Sequence, residues 1–109
     1  MAAVQERSQE YVPTVVVHSS GRVTGDEQTY AKGVIAAALV LAPGGLRFAT
    51  IDLRFEPEPA WDRPALARVV VLQDGCSVRV HADATTVSDA VEMVGLRLRR
   101  RLEEVARPA

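Results

Sequence analysis

The repeat of apolar residues along this chain switches between two and about 3.6, and the order of the switches dictates its fold class. Thr14 to His18 is short and β-branched, the pattern of a strand. Its centre, Val15-Val16-Val17, does not alternate, so either both faces are covered or the strand pairs beside a helix. Ser19-Ser20-Gly21 ends it. Thr24 or Gly25 can then cap a helix whose first turn carries Asp26 and Glu27, where negative charge meets the positive end of the helix dipole. Tyr30, Val34, Ala37, Ala38 and Leu41 recur at helical spacing, and Ile35 and Leu39 widen the apolar surface, so this helix is expected to be deeply packed. Pro43-Gly44-Gly45 stops it.

Period two then takes over. In Phe48 to Phe55, Ala49, Ile51, Leu53 and Phe55 alternate with Thr50, Asp52 and Arg54, giving one dry and one wet face. Glu56 to Pro64 holds three prolines and reads as a long loop. Ala65 to Leu72 is the next strand, Gln73-Asp74-Gly75-Cys76 is a hairpin signal, and Ser77 to Asp83 returns. In that last strand Val78, Val80 and Ala82 point inward, while Arg79, His81 and Asp83 point outward. Thr86 to Asp89 resembles a capping box with Asp in place of Glu. Val87, Val91, Val94, Leu98, Leu102 and Val105 follow as a helical stripe that Pro108 ends, with Gly95 its one weak point.

The order is β-α-β-β-β-α, an α+β fold. Only the first connection carries a helix, so the first two strands are expected to be parallel and adjacent, and the last three to form an antiparallel meander. The result is a four-stranded mixed sheet with both helices packed on one face and the other face open to solvent. At 109 residues the chain makes one domain, 13–107, preceded by a polar tail over 1–12.

The formal net charge of −1 argues against a domain that coats nucleic acid by charge alone. Twelve of the thirteen basic residues are Arg, and Lys32 is the only Lys. Arginine suits forked phosphate contacts and base stacking, although high-GC coding gives the same bias. The single Cys76 excludes an internal disulfide and any multi-cysteine zinc site. The apolar run Val34 to Pro43 is far shorter than the ~20 residues that span a bilayer. With no apolar leader at the start, the expectation is a soluble cytoplasmic protein.

No residues line up for catalysis. His18 and His81 have no metal-ligand partner at useful spacing and fall on the first and last strands, at opposite edges of the expected sheet. Cys76 stands in a turn beside Asp74, which disfavours a thiolate. Glu56, Glu58 and Asp62 lie on an irregular loop with nothing to desolvate them. Trp61 in that loop either caps the core or stacks on a base or partner, with capping the default. Ser19 to Gly25 precedes a helix but is neither a GxGxxG nor a Walker loop, and Asp26 and Glu27 would repel a phosphate there. The expectation is a protein that is not an enzyme and has no catalytic residues, metal or cofactor.

The clearest charged feature is Arg97, Arg99, Arg100 and Arg101 on the last helix. Arg97, Arg100, Arg101 and Glu104 share a face by i, i+3 and i+4 spacing, with Leu98 and Leu102 directed to the core. Two readings stand. One is a solvated last turn in which cations favour the negative helix end. The other is a phosphate-facing patch, joined by Lys32 if the helices lie side by side and extended by Arg22 and Arg47 in the flanking loops.

The strand order and several stretches resemble the ribosome hibernation promotion factor family, also called ribosome-associated inhibitor A or sigma modulation proteins. The stretch Asp74 to Glu104 looks like that family's last strand, its short Ala-Thr turn and a helix that starts Asp89-Ala90-Val91-Glu92. Arg97-Leu98, Arg100 and Leu102 are similar to its Arg-Leu-x-Arg-x-Leu ending, and Arg47 to Phe55 resembles its second strand. The resemblance implies a stress-response translation regulator that binds the small ribosomal subunit and its RNA, inhibits translation and stabilises idle ribosomes, with no DNA or membrane partner. It implies RNA contacts at Lys32, Arg97, Arg100 and Arg101, with Arg22 and Arg47 nearby. The alternative is a protein-interaction or homodimerisation module that keeps the fold without ribosome binding.

Overall fold

The computed structural model describes residues 14–40, 48–57, 62–73 and 76–106. The elements run β1 (Thr14–Gly21), α1 (Gly25–Val40), β2 (Phe48–Phe55), β3 (Ala65–Gln73), β4 (Cys76–Ala84) and α2 (Val87–Ala106). The strands lie in the sheet in chain order, β1-β2-β3-β4. β1 pairs parallel to β2, Thr14 opposite Phe48, and the other two pairings are antiparallel. The sequence-predicted topology is therefore the observed one. β1 runs three residues past its expected end, because Ser19, Ser20 and Gly21 stay paired with Leu53, Arg54 and Phe55.

Gly21 is what lets the chain leave β1 there. Its φ is 74°, in the left-handed region that glycine favours. The next amide, Arg22 N–H, donates to the Phe55 carbonyl at 2.8 Å. A β-carbon on Gly21 would overlap that same carbonyl oxygen.

Both helices start with a side-chain cap. Thr24 Oγ1 accepts from Glu27 N–H at 3.1 Å, and Glu27 Oε1 accepts from Thr24 N–H at 2.8 Å, a complete capping box. Thr86 Oγ1 accepts from Asp89 N–H at 3.1 Å. Thr86→Ala is expected to lower stability by about 1 kcal/mol in a urea titration. An unchanged midpoint would show that water serves Asp89 N–H equally well.

The helices cover one face of the sheet, α1 over β1 and β2, α2 mainly over β3 and β4. Ala49, Ile51, Leu53, Val69, Val71, Val78, Val80 and Ala82 point up into them, as the period of two requires. Buried alanines, Ala31, Ala65, Ala67, Ala82, Ala84 and Ala90, line the end where the helices begin and let helix and sheet backbones approach.

Two readings of the helices need correction. The buried stripe of α1 is Ala31, Ile35, Ala38 and Leu39, whereas Tyr30 and Ala37 are exposed and Val34 is half-buried. Leu41 lies outside the described residues. α1 is apolar around most of its circumference, so its sequence does not phase the buried face; its neighbours do. On α2 the stripe holds from Val87 to Leu102, but the last turn carries Val105 beyond the core, where it is 46% exposed. Gly95 is no weak point in the native packing. It is buried against α1, and a β-carbon there would stand 2.6 Å from Val34 Cγ1.

Candidate nucleic-acid interface

Contacts on each side of the two helices fix where the basic residues point. On α2, Gly95 and Arg99 line a groove shared with Tyr30, Val34 and Ala37 of α1. The opposite flank of α2 leans over the sheet edge, where Arg97 Nη1 donates to the carbonyl of His81 on β4 at 2.7 Å. Arg100, Arg101 and Glu104 follow Arg97 by three, four and seven residues and share its flank. Among the described residues, then, Arg97, Arg100 and Arg101 do come together.

Their states differ. The Arg97 guanidinium satisfies a carbonyl on an edge strand, a structural duty that also blunts the edge. Arg101 forms an exposed ion pair with Glu104 at 3.7 Å. Such a pair is worth at most about 1 kcal/mol, so a phosphate can displace it. Arg100 is exposed and in neither ion pair found among the described residues.

Of the other expected contacts, Lys32 and Arg22 lie elsewhere. Gln28 of α1 donates to Ser19 Oγ on β1 at 3.2 Å, which marks the α1 flank facing the other sheet edge. Lys32 lies one turn after Gln28 on that flank. The helices are side by side, yet Lys32 and the arginines stand on opposite outer flanks, roughly two helix diameters or 20 Å apart. Arg22 precedes α1, and since both helices run back against β1, β2 and β4, it sits at the end opposite Arg100 and Arg101. Arg47, Trp61 and Glu58 lie outside the described residues.

The groove between the helices was missed from the sequence. Tyr30 and Leu96 are 43% and 60% exposed there, beside Ala37, with Glu92 and Arg99 in the lining. The signal was present, since α1 is apolar on more sides than one sheet can cover.

His18 and His81 are exposed on the two edge strands, and Glu56 and Asp62 are exposed. Among the described residues no group of three His, Cys, Asp or Glu is placed to hold a metal ion. No described helix is long and apolar enough to cross a membrane.

The sequence matches no family model and no curated protein. Its fold does match solved structures. One is the N-terminal domain of Protein Y from Thermus thermophilus, with a TM-score of 0.65 and 16% identity, covering 88% of this chain and 98% of that one. Another is a ribosomal subunit interface protein from Coxiella burnetii, with a TM-score of 0.66 and 7% identity, covering 84% and 96%. This chain therefore has the fold of those two proteins nearly end to end.

Proposed function

We propose that this protein is a non-enzymatic ribosome-binding factor that contacts small-subunit RNA, inhibits translation and stabilises idle ribosomes. The observation that carries the proposal is the fold it shares over nearly the whole length of a ribosomal subunit interface protein and of the Protein Y domain. The α2 flank supplies a chemistry suited to it, with Arg97, Arg100 and Arg101 gathered on one side. Arg100 and Arg101 would meet phosphate directly. Lys32 and Arg22 would meet other RNA segments, since they stand apart from that flank, and Arg47 completes the assigned contacts.

Pelleting with ribosomes over a salt series tests this. Binding through phosphates falls steeply with salt, by nearly one power of the concentration per contact. The double variant Arg100→Glu with Arg101→Glu is expected to weaken pelleting at least tenfold while the protein stays folded, with a stability loss of only about 1 kcal/mol from the broken Arg101–Glu104 pair and the like charges at the helix end. Unchanged pelleting of that variant would remove α2 from the site. No wild-type pelleting at any salt would overturn the proposal itself.

A second reading, a protein-interaction or dimerisation module, is favoured by the exposed apolar groove at Tyr30 and Leu96. A dimer by light scattering, lost on Leu96→Glu and accompanied by no ribosome binding, would establish it instead.

A further inference from the structure

The charges of this molecule are not divided as its fold would suggest. The described residues of α1 and α2 carry five basic and six acidic side chains, a slightly negative surface. The open face of the sheet carries Arg54, Arg68 and Arg79 against Asp52 and Asp83, and Asp83 is paired with Arg63 at 3.5 Å. His18 and His81 stand on the same face. The sheet face, remote from the helices, is thus the more basic side.

Register turns those arginines into a track. Arg54 on β2 is opposite Leu66, Arg68 on β3 is opposite Asp52 and His81, and Arg79 on β4 is opposite Val70. Each arginine is one strand over and two residues along from the last, a diagonal step of about 8 Å from the strand spacing and rise. A shallow depression of about 180 Å3 lies between the first two, lined by His18, Ser20, Asp52, Arg54, Leu66 and Arg68 among others. Among the described residues none of the three is in an ion pair.

Beside the track lies an apolar platform. Phe48 on the inner strand β2 is directly opposite Leu72, and they are 37% and 52% exposed. Half-buried Val16 and Val70 adjoin them in the next row. An exposed aromatic ring on a sheet, next to a line of guanidiniums, is the arrangement on which an unpaired base stacks while its backbone runs over cations.

We infer that the open sheet face binds single-stranded RNA, with phosphates along Arg54, Arg68 and Arg79 and a base on Phe48. The inference does not depend on the α2 flank, and it gives the molecule two RNA-facing sides. Asp52 is the one carboxylate in the track's path without an ion pair among the described residues, so it opposes binding.

The test is fluorescence anisotropy of a labelled oligouridylate of about ten nucleotides, a length within the usual site size, titrated with the full chain. With salt varied from about 50 to about 200 mM, the triple variant R54Q/R68Q/R79Q should weaken binding more than tenfold. It should also flatten the log–log salt slope by about 2, at roughly 0.7 per single-strand contact. Phe48→Ala should lose roughly tenfold through stacking. Asp52→Asn should tighten binding about twofold by removing a like charge facing the phosphates, an effect that misfolding cannot imitate. Unchanged affinity and slope in the triple variant, or equal competition by a duplex of the same length, would overturn the inference. Loss of oligonucleotide binding in Arg100→Glu with Arg101→Glu alone would do so too, while leaving the α2 proposal standing. Normal ribosome pelleting by the triple variant, with lost oligonucleotide binding, would support the sheet site as separate.

Discussion

Gly21→Ala is expected to destabilise the protein by about 3 kcal/mol, from three costs that fall at one point. A non-glycine residue in left-handed backbone costs roughly 1–2 kcal/mol. The new β-carbon overlaps the Phe55 carbonyl oxygen, so the ends of β1 and β2 must part. Parting them stretches the bond from Arg22 N–H to that carbonyl, now 2.8 Å and worth about 1 kcal/mol. Gly21→Asn separates the causes. Asparagine tolerates left-handed backbone but keeps the β-carbon, so it should rescue little. Gly25→Ala is the control, because nothing lies within 4 Å of a β-carbon there, and its change should stay within about 0.5 kcal/mol. Urea titrations of the three variants decide it. A near-native Gly21→Asn protein would mean that backbone strain alone was at stake.

Gly95→Leu is expected to cost about 3 kcal/mol, at the upper end for overpacking a core. Even its first carbon would sit 2.6 Å from Val34 Cγ1, and a β-branched valine is too stiff to swing aside. The helices would have to separate over Ile35, Leu39, Val91 and Leu98, all of them buried. Gly95→Ala gives a finer measure. Alanine favours the helix by up to about 1 kcal/mol, and the clash opposes that gain. In a Val34→Ala background the clash is gone and the gain should emerge, so the double-mutant cycle should show a coupling of about 1 kcal/mol. Strict additivity would mean that α1 and α2 do not meet at this pair.

Much of the fold was legible because its signals are local. Alternation in Phe48 to Phe55 gave that strand its observed bounds, and Thr86 announced the start of α2. One helical connection among the strands was enough to make β1 and β2 parallel. What was hidden depends on partners distant in sequence. The buried side of α1 could not be phased from a segment with apolar residues all round. Gly95 looked like a defect until Val34, sixty-one positions earlier, arrived opposite it.

The same distinction governs the candidate sites. Helical spacing sufficed to group Arg97, Arg100 and Arg101, but not to show that Arg97 is held by the His81 carbonyl. Lys32 could be assigned to its flank only through Gln28 and Ser19. Arg54, Arg68 and Arg79 are unremarkable in sequence, and only the strand register draws them into a line.

Sedimentation of the purified protein with separated ribosomal subunits at low salt tests the proposed function most directly. The protein should travel with the small subunit, and it should be released progressively from about 50 to about 200 mM salt. Sedimentation with the large subunit alone, or with neither, would contradict it.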